Sequence, residues 1–454
     1  MSKCIFLLFD GARPDVLKDL AYNGALPNVK KYFFDEGSAA TATTVFPSTT
    51  GPAYLPFITG EFPGKCNIPG IRWLDREQFE KNPSSLSARR SYVGVENGRF
   101  NSDMSPNVST IYEKIAPAFS INSIVTRGLE SVTFRQSITQ QLLMFYAKLS
   151  HHWSPVDQFA KKHLFEAMDK NYKFSFISFL GIDENSHLTD PFSEKTYESY
   201  KVLDGIVGEL FARLEKTGER DSTLVVISSD HGLTGTDKHF ELWKWFENRG
   251  KKVFYYPNIF RTDVDSACMV SGNAFANMYL KNGTSWNEYS YYEDLQPTGM
   301  LDELLAEPAI DQLFLRSKNG GCVALSASGK AYVKKDASTI EYRVEGTDPF
   351  GYQALPSSMN FQDALAKTFD TAYPDGLMQV TQLFDSPRTG DIAVTAKLGY
   401  DLRKVFEIPT HHGSHGALHK EHMLVPLLAS HKILDESRPF RTIDIHQPML
   451  DFMK

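Results

Sequence analysis

The chain has 454 residues, 42% of them hydrophobic and 13% aromatic, enough for one large core with insertions or for two to three domains. A net charge of -7 supplies no field for holding polyanionic DNA or RNA, which argues against a nucleic-acid scaffold; a small phosphate substrate met by a local cation stays compatible with it. Four scattered cysteines, Cys4, Cys66, Cys268 and Cys322, have no zinc or redox spacing and read as reduced structural thiols.

The first element is the run CIFLLF, which ends at Asp10. It is too short for a signal-peptide core or a membrane span and reads as a buried strand. No other stretch approaches the roughly twenty apolar residues of a spanning helix. The expectation is a cytoplasmic protein with no membrane span. Residues 45 to 53, VFPSTTGPA, follow. Pro, Gly, Ser and Thr are turn formers, so a plain turn is one reading. The other is a helix started by Gly51-Pro52, with the Thr50 hydroxyl ahead of it at the cap. Residues 76–170, with SITQQLLMFYAKLSHHWSPVDQFAKKHLFEAM, suggest a mainly helical insertion.

Two further apolar runs share the design of the first. FSFISFLGI leads into Asp183 and STLVVISS into Asp230-His231, with a helix-patterned stretch from Tyr197 to Gly218 between them. Runs of this kind suit strands buried on both faces of a parallel sheet, whose ligands gather beyond the carboxyl strand ends. The core is therefore expected in three parts, 1–75, 171–254 and 401–454, with an α+β cap over 255–400 that includes GGCVALSASGKAYVKK and returns near GDIAVTAKLGYDLRK. A single Asp after a strand is usually a turn former. Asp183 with His187 in DENSH, and Asp230 with His231 in SDHG, make two such pairs, and carboxylate with imidazole suits zinc. The last histidines crowd into PTHHGSHGALHKEHMLVPLL, which reads either as a polar loop or as a ligand-bearing one. His151, His152, His163, His239, His431 and His446 have no such context and read as structural or surface residues.

In this order, Asp10, FPSTT leading to TGEFP, DENSH, SDHG and HGSHG resemble the alkaline phosphatase superfamily, and specifically its type I phosphodiesterase and nucleotide pyrophosphatase branch. The resemblance extends to about residue 75, then over 172–235 and about 405–430. It implies an alkaline-phosphatase-like α/β/α sandwich with a mostly parallel central sheet, a helical insertion and a small α+β cap. It also implies two divalent metal ions, zinc with manganese as the alternative. Asp10, Asp230 and His231 would share one ion with the oxygen of Thr50, and Asp183, His187 and His415 would hold the other. His415 is preferred because it stands in an xHG element, with His412 the alternative. The branch's nucleophilic threonine lies ten residues before the glycine of a TG pair, which from Thr59-Gly60 gives Thr50, with Thr49 the alternative.

The implied reaction is hydrolysis of a small phosphate ester through a phosphothreonine. A phosphomonoesterase, or a phosphotransferase or mutase on the same scaffold, is the alternative; a binding protein without turnover fits poorly with seven intact ligands. No oligomeric state is implied. The sequence departs from the branch where a phosphate-binding asparagine is expected: Ile71 holds that place in CNIPGIRW, so that Asn67 or Arg72 would take the role. CNIPGIR also lacks the position and spacing of a sulfatase motif. No Lys or Arg occurs in VFPSTT or GPAYLPF, which favours a diester over a doubly charged monoester, with Trp73 packing on an apolar or planar leaving group. Arg72 would either supply an extra cation or pair with Asp75 or Glu77 at the surface.

Overall fold

The structure, a computed structural model, describes residues 2–130, 138–258, 260–405, 407 and 409–454; residues 131–137 of the expected helical insertion lie outside the described residues. Seven strands form the central sheet, in the spatial order Phe440–Arg441, Ser38–Thr43, Leu424–Ala429, Thr223–Ser228, Lys3–Phe9, Phe174–Phe179 and Ala118–Ile121. Lys3–Phe9 pairs in parallel with Phe174–Phe179 on one side and Thr223–Ser228 on the other, and all seven of its residues are buried. Side chains alternate across a strand, so Cys4, Phe6 and Leu8 enter one core while Ile5, Leu7 and Phe9 enter the opposite one. With a core on each face there is no solvent side, which is why this run has no alternation of polar residues.

One core is closed by the helix Glu194–Thr217, through Leu203, Val207, Leu210 and Leu214, and by Ala160 and Leu164 of the helix Ser154–Asp169. Ser193 starts the longer helix by accepting from the Thr196 amide, and Gly218 ends it. The other core is closed by Leu55, Phe57 and Ile58 and by Ile445 and Met449. The layers are those of an α/β/α sandwich.

Strand direction decides what meets at the sheet edge. Leu424–Ala429 runs antiparallel to both neighbours, Ser38–Thr43 and Thr223–Ser228. The chain therefore enters it from the edge at which the parallel strands leave. The histidine-rich segment before Leu424, the FPSTT segment after Ser38–Thr43, Asp10 and Asp230 all reach this one edge.

Two expected boundaries change. Ala118–Ile121, inside the expected insertion 76–170, is an edge strand of the central sheet, paired in parallel with Phe174–Phe179. Its four residues, AFSI, are too few to show a buried-strand pattern. The cap is a nine-stranded sheet, more than a small subdomain, in the order Val253–Tyr255, Ser266–Ser271, Phe275–Leu280, Ile392–Ala396, Ile310–Arg316, Cys322–Ser326, Gly329–Lys335, Thr339–Gly346 and Ser358–Asn360. Ile392–Ala396 sits inside it, between Phe275–Leu280 and Ile310–Arg316, so the chain rejoins the central sheet only with Leu424–Ala429. Phe46 links the two bodies, its ring 4.9 Å from Phe275 and 5.8 Å from Phe314. Among the described residues, no helix is long and apolar enough to cross a membrane.

The helix Gly181–Leu188, which carries Asp183 and His187, has no cap from its own preceding side chain. Asp157, buried in the neighbouring helix, serves instead: its Oδ1 accepts from the Leu180 amide at 2.9 Å. Burial pushes its pKa from 3.8 up to about 7. A carboxyl whose folded pKa is raised stabilises the fold fully below its unfolded pKa, and that contribution is lost as pH rises through the folded value. Asp157→Asn is therefore expected to flatten the fall in Tm between about pH 4 and pH 7, a window worth on the order of 4 kcal/mol. Equal pH slopes for wild type and variant in thermal melts would count against this account.

Candidate active site

Thr50 stands at the end of the segment that leaves Ser38–Thr43. Gly51 follows at φ 95°, a left-handed conformation that side-chain-bearing residues resist, and turns the chain sharply there. Beyond it lie a short 3-10 turn, Pro52–Tyr54, and the helix Leu55–Thr59. Gly51 rather than Thr50 holds the cap position, and no side chain caps this turn. The Thr50 hydroxyl is thus free to turn elsewhere: its Oγ1 lies 3.2 Å from His231 Nε2. Thr49 is 1% exposed. Ser48 fastens the segment to the histidine loop, donating through Oγ to the Ala417 carbonyl and accepting through its own carbonyl from His415 Nδ1 at 2.9 Å.

Around Thr50 the structure gathers Asp10, Asp183, His187, Asp230, His231 and His415. Asp183 and His187 are one helical turn apart, which sets His187 Nε2 3.4 Å from Asp183 Oδ1. His231 Nε2 lies 3.4 Å from Asp230 Oδ2 and 3.6 Å from Asp10 Oδ1, and its ring stacks on His415 at 3.6 Å. Gly11 lets these elements close up, since a Cβ there would come within 2.9 Å of the Asp183 backbone.

Each imidazole is anchored in the same way. His187 Nδ1 donates to the Gly413 carbonyl, His231 Nδ1 to Gly232 and His415 Nδ1 to Ser48. A carbonyl only accepts, so the proton resides on Nδ1 and Nε2 presents a lone pair. The carboxylates are likewise half committed: Asp10 Oδ2 accepts from the Tyr54 hydroxyl at 2.9 Å and Asp230 Oδ1 from the Gly11 amide at 3.3 Å. The opposite oxygens, Asp10 Oδ1, Asp183 Oδ1 and Asp230 Oδ2, are buried without a hydrogen-bond partner.

Burial and mutual repulsion raise the carboxyls of Asp10 and Asp183 well above the usual range, and burial pushes Asp230 up to about 6. Burial also pushes His231 down to about 3 and lowers His187 and His415. Orphaned acidic oxygens and neutral imidazole nitrogens facing one another fit divalent cations: such ions give the carboxylates their missing charge and the imidazoles an acceptor for their lone pairs. Two ligand groups have the required spacing, Asp183 with His187 and His415, and Asp10 with Asp183 and His231. Asp183 belongs to both.

The remaining predicted residues divide. Arg72 lines the cleft, half-buried, with one nitrogen donating to the Val270 carbonyl at 3.0 Å and Nε buried without a partner, so that Val270 stands where a surface carboxylate was the other expectation. Burial and the neighbouring Arg403 lower its pKa to about 9. Asn67 is turned away, its Oδ1 accepting from Ser386 and its carbonyl from Arg388. Trp73 is wholly buried, with Nε1 donating to the Tyr92 hydroxyl and the Arg388 guanidinium over its ring, so the expected contact with a leaving group is not available. Apolar residues at the cleft are instead Ile71, Ile124, Met144 and Leu180, around a cavity of about 240 Å³ that reaches Thr50. His412 is exposed, whereas His411 packs on His187 at 4.4 Å.

Sequence reasoning missed Tyr54, Lys148 and Arg403, and left His411 without a role among the loop histidines. Tyr54 follows Thr50 by four residues, and aromatic spacing gives no sign that its hydroxyl meets Asp10. Lys148 and Arg403 arrive at the cleft from distant segments and add cations that the local sequence around Thr50 lacks.

This fold and this cluster at the carboxyl edge of its sheet define an alkaline-phosphatase-like α/β enzyme. The chain belongs to the type I phosphodiesterase / nucleotide pyrophosphatase family, which it matches over residues 4–418, a family of divalent-metal-dependent phosphoryl hydrolases in the alkaline phosphatase superfamily. It superposes on phosphonoacetate hydrolase from Sinorhizobium meliloti, solved with phosphonoacetate, with a TM-score of 0.60 and 13% identity over 100% of this chain and 96% of that one. Murine ectonucleotide pyrophosphatase / phosphodiesterase 5, an inactive variant solved with AMP, superposes with a TM-score of 0.58 and 13% identity over 100% and 95% of the two chains. At these identities the likeness concerns the fold. GPI ethanolamine phosphate transferase 2 of Aspergillus fumigatus is 27% identical over 88 residues, 19% of this chain and 12% of that protein's length.

The bond from Tyr54 to Asp10 carries a consequence for cation binding. Removing a group that orients a ligand typically weakens metal binding by about 10- to 100-fold. Tyr54→Phe keeps the ring and its packing, so a weakening of that size in competition titrations with a chelator is expected without loss of fold. Unchanged affinity would mean that Asp10 holds its position without this bond.

Proposed function

We propose that the chain is a two-metal hydrolase of phosphate esters, with phosphodiesters as its substrate class and Thr50 as its nucleophile. The observation that carries this reading is the Thr50 hydroxyl, 3.2 Å from His231 Nε2 and lining one cavity with Asp10 and Asp183, each of which has an orphaned oxygen. Asp10, Asp230, His231 and Thr50 would hold one ion, and Asp183, His187 and His415 the other, with zinc the best fit to a mixed carboxylate and imidazole set and manganese the next. When bound, the two ions would supply the positive charge that acidifies the nucleophile, offsets charge on the phosphoryl group and activates water.

Thr50 Oγ1 attacks phosphorus in line, the leaving alcohol departs from the opposite side, and water then cleaves the phosphothreonine to restore the hydroxyl. Tyr54 orients Asp10 throughout, and backbone carbonyls keep the three imidazoles in one tautomer. The apolar wall of Ile71, Ile124, Met144 and Leu180 suits an apolar or planar substituent on the ester.

A second reading has its own support. Arg72, Lys148 and Arg403 border the polar side of the cleft, and three cations suit a substrate with more than one negative charge, such as a monoester or a pyrophosphate-containing diester. Matched aryl monoester and diester substrates separate the two. For a diesterase, the wild type prefers the diester and Arg72→Ala mainly raises KM; a monoester preference that vanishes in Arg72→Ala would assign the enzyme to the other ester class.

The nucleophile is tested directly. Thr50→Ala is expected to fold and to lose at least about a thousandfold in turnover, Thr50→Ser to keep part of the rate, and Thr49→Ala to stay active. Asp183→Ala should lose bound metal relative to wild type by mass spectrometry. An active Thr50→Ala enzyme, or full metal occupancy in Asp183→Ala, would sink the reading.

A further inference from the structure

Behind the histidine loop, apart from the residues discussed so far, His239, Asp401 and Glu407 converge. The two-residue strands Lys238–His239 and Tyr400–Asp401 pair in parallel, which sets His239 directly opposite Asp401. His239 Nε2 lies 3.3 Å from Glu407 Oε2 and 3.9 Å from Asp401 Oδ2. Asp401 is wholly buried and Glu407 is 6% exposed. We propose that these three residues form a third divalent-cation site, distinct from the cluster around Thr50, for a borderline ion such as Zn2+ or Mn2+.

The side-chain and backbone groups that donate to the two carboxylates are all neutral, among them the His411 amide, which reaches Glu407 Oε2 at 3.4 Å. Asn273 is its main neutral donor: its Nδ2 approaches Glu407 Oε1, Asp401 Oδ2 at 3.4 Å and His411 Nδ1 at 3.0 Å. The amide cannot be turned over, because Arg403 Nε donates to its Oδ1 at 3.0 Å. An NH2 group has two hydrogens, enough for both carboxylates only when His411 Nδ1 is not a third acceptor. Ser414 donates to the other oxygen of Asp401 and so orients it, as outer groups orient metal ligands.

A second observation is independent of the acids. His239 Nε2 is buried, has no hydrogen-bond partner and faces both carboxylates, and its side chain is 9% exposed. One ligand atom from each of the three residues falls within 4.8 Å of the others. Ligands about 2.0–2.2 Å from one ion stand about 3–4 Å apart, close to the separations found here. An imidazole with two carboxylates is a set for Zn2+ or Mn2+, whereas Ca2+ takes oxygen ligands.

The ion would fix the loop that bears His411 and His415. His411 lies 3.4 Å from Glu407 Oε1 and packs on His187, while Ser414 precedes His415 in the chain. His239 and Asp401 would therefore support the catalytic cluster from behind, while Glu407 also borders the cleft.

The experiment isolates this site from the catalytic one. A variant with Asp10→Asn, Asp183→Asn and Asp230→Asn, isosteric at each position, is stripped with chelator and titrated with Mn2+ and, separately, Zn2+. It is expected to bind one equivalent of at least one ion, and that equivalent is expected to disappear when Asp401→Asn or His239→Gln is added. Binding of neither ion, or an equivalent that survives both added changes, would overturn the proposal. Should the combined variant fail to fold, wild-type crystals soaked in Mn2+ decide through anomalous scattering: a peak among His239, Asp401 and Glu407 supports the site, and its absence beside occupied catalytic positions overturns it. Failure of the catalytic reading would show separately, as Mn2+ missing from the Thr50 cluster in the same crystals.

Discussion

Three carboxylates, Asp10, Asp183 and Asp230, are buried together at one end of a sheet with one oxygen of each left unpaired. Left alone, such a group repels itself and favours protonation, which is the direction in which all three pKa values move. The surroundings do little to relieve this charge: the nearest partners are neutral, with a tyrosine hydroxyl on Asp10, a backbone amide on Asp230 and imidazoles locked as hydrogen-bond acceptors. The arrangement is costly as pure protein and favourable around cations, so its stability and its chemistry depend on the same missing charge.

The sheet makes that convergence possible. A wholly parallel sheet would bring Asp10, Asp183 and Asp230 to one edge but deliver the C-terminal histidines only by a further connection. By running Leu424–Ala429 against its neighbours, the fold brings the chain into the strand from the active edge, with His415 just before it. Thr50 is delivered to the same edge by Ser38–Thr43, and the Ser48 carbonyl then holds His415. Five segments far apart in sequence are thereby fixed on one rigid element, which suits a reaction that depends on positioning.

Much of this was legible beforehand because its signals are local. Buried strands show as unbroken apolar runs, and Asp183 with His187, or Asp230 with His231, are close neighbours whose ligand chemistry can be read from two residues. What could not be read depends on contacts between distant segments. Ala118–Ile121 is too short to carry a pattern, yet it completes the sheet edge. Trp73, in the motif nearest Arg72, looked like a substrate contact, but strand alternation sends it into the core beside Tyr92. His239 had no local partner at all; its company, Asp401 and Glu407, lies more than 160 residues away and becomes adjacent only through a two-residue strand pairing.

The second sheet is therefore part of the site and more than a cover over it. Ala274 donates to the His415 carbonyl at 3.0 Å, the Val270 carbonyl fixes Arg72, and Asn273 ties Arg403 to the acidic pair behind the histidine loop. The central sheet thus supplies the acids, Thr50 and two of the histidines, while the second sheet holds Arg72 and Arg403 at the cleft and steadies the third histidine from behind. Phe46, packed against Phe275 and Phe314 just before the Thr50 turn, couples the two bodies mechanically. A change in the second sheet can accordingly shift Arg72 and Arg403 without disturbing the acids, whereas a change at Phe46 reaches the Thr50 segment and the second sheet together. The acid and imidazole cluster is thus placed by strand direction in the central sheet, whereas the cations at the cleft come from three separate segments around it, Arg72, Lys148 and Arg403.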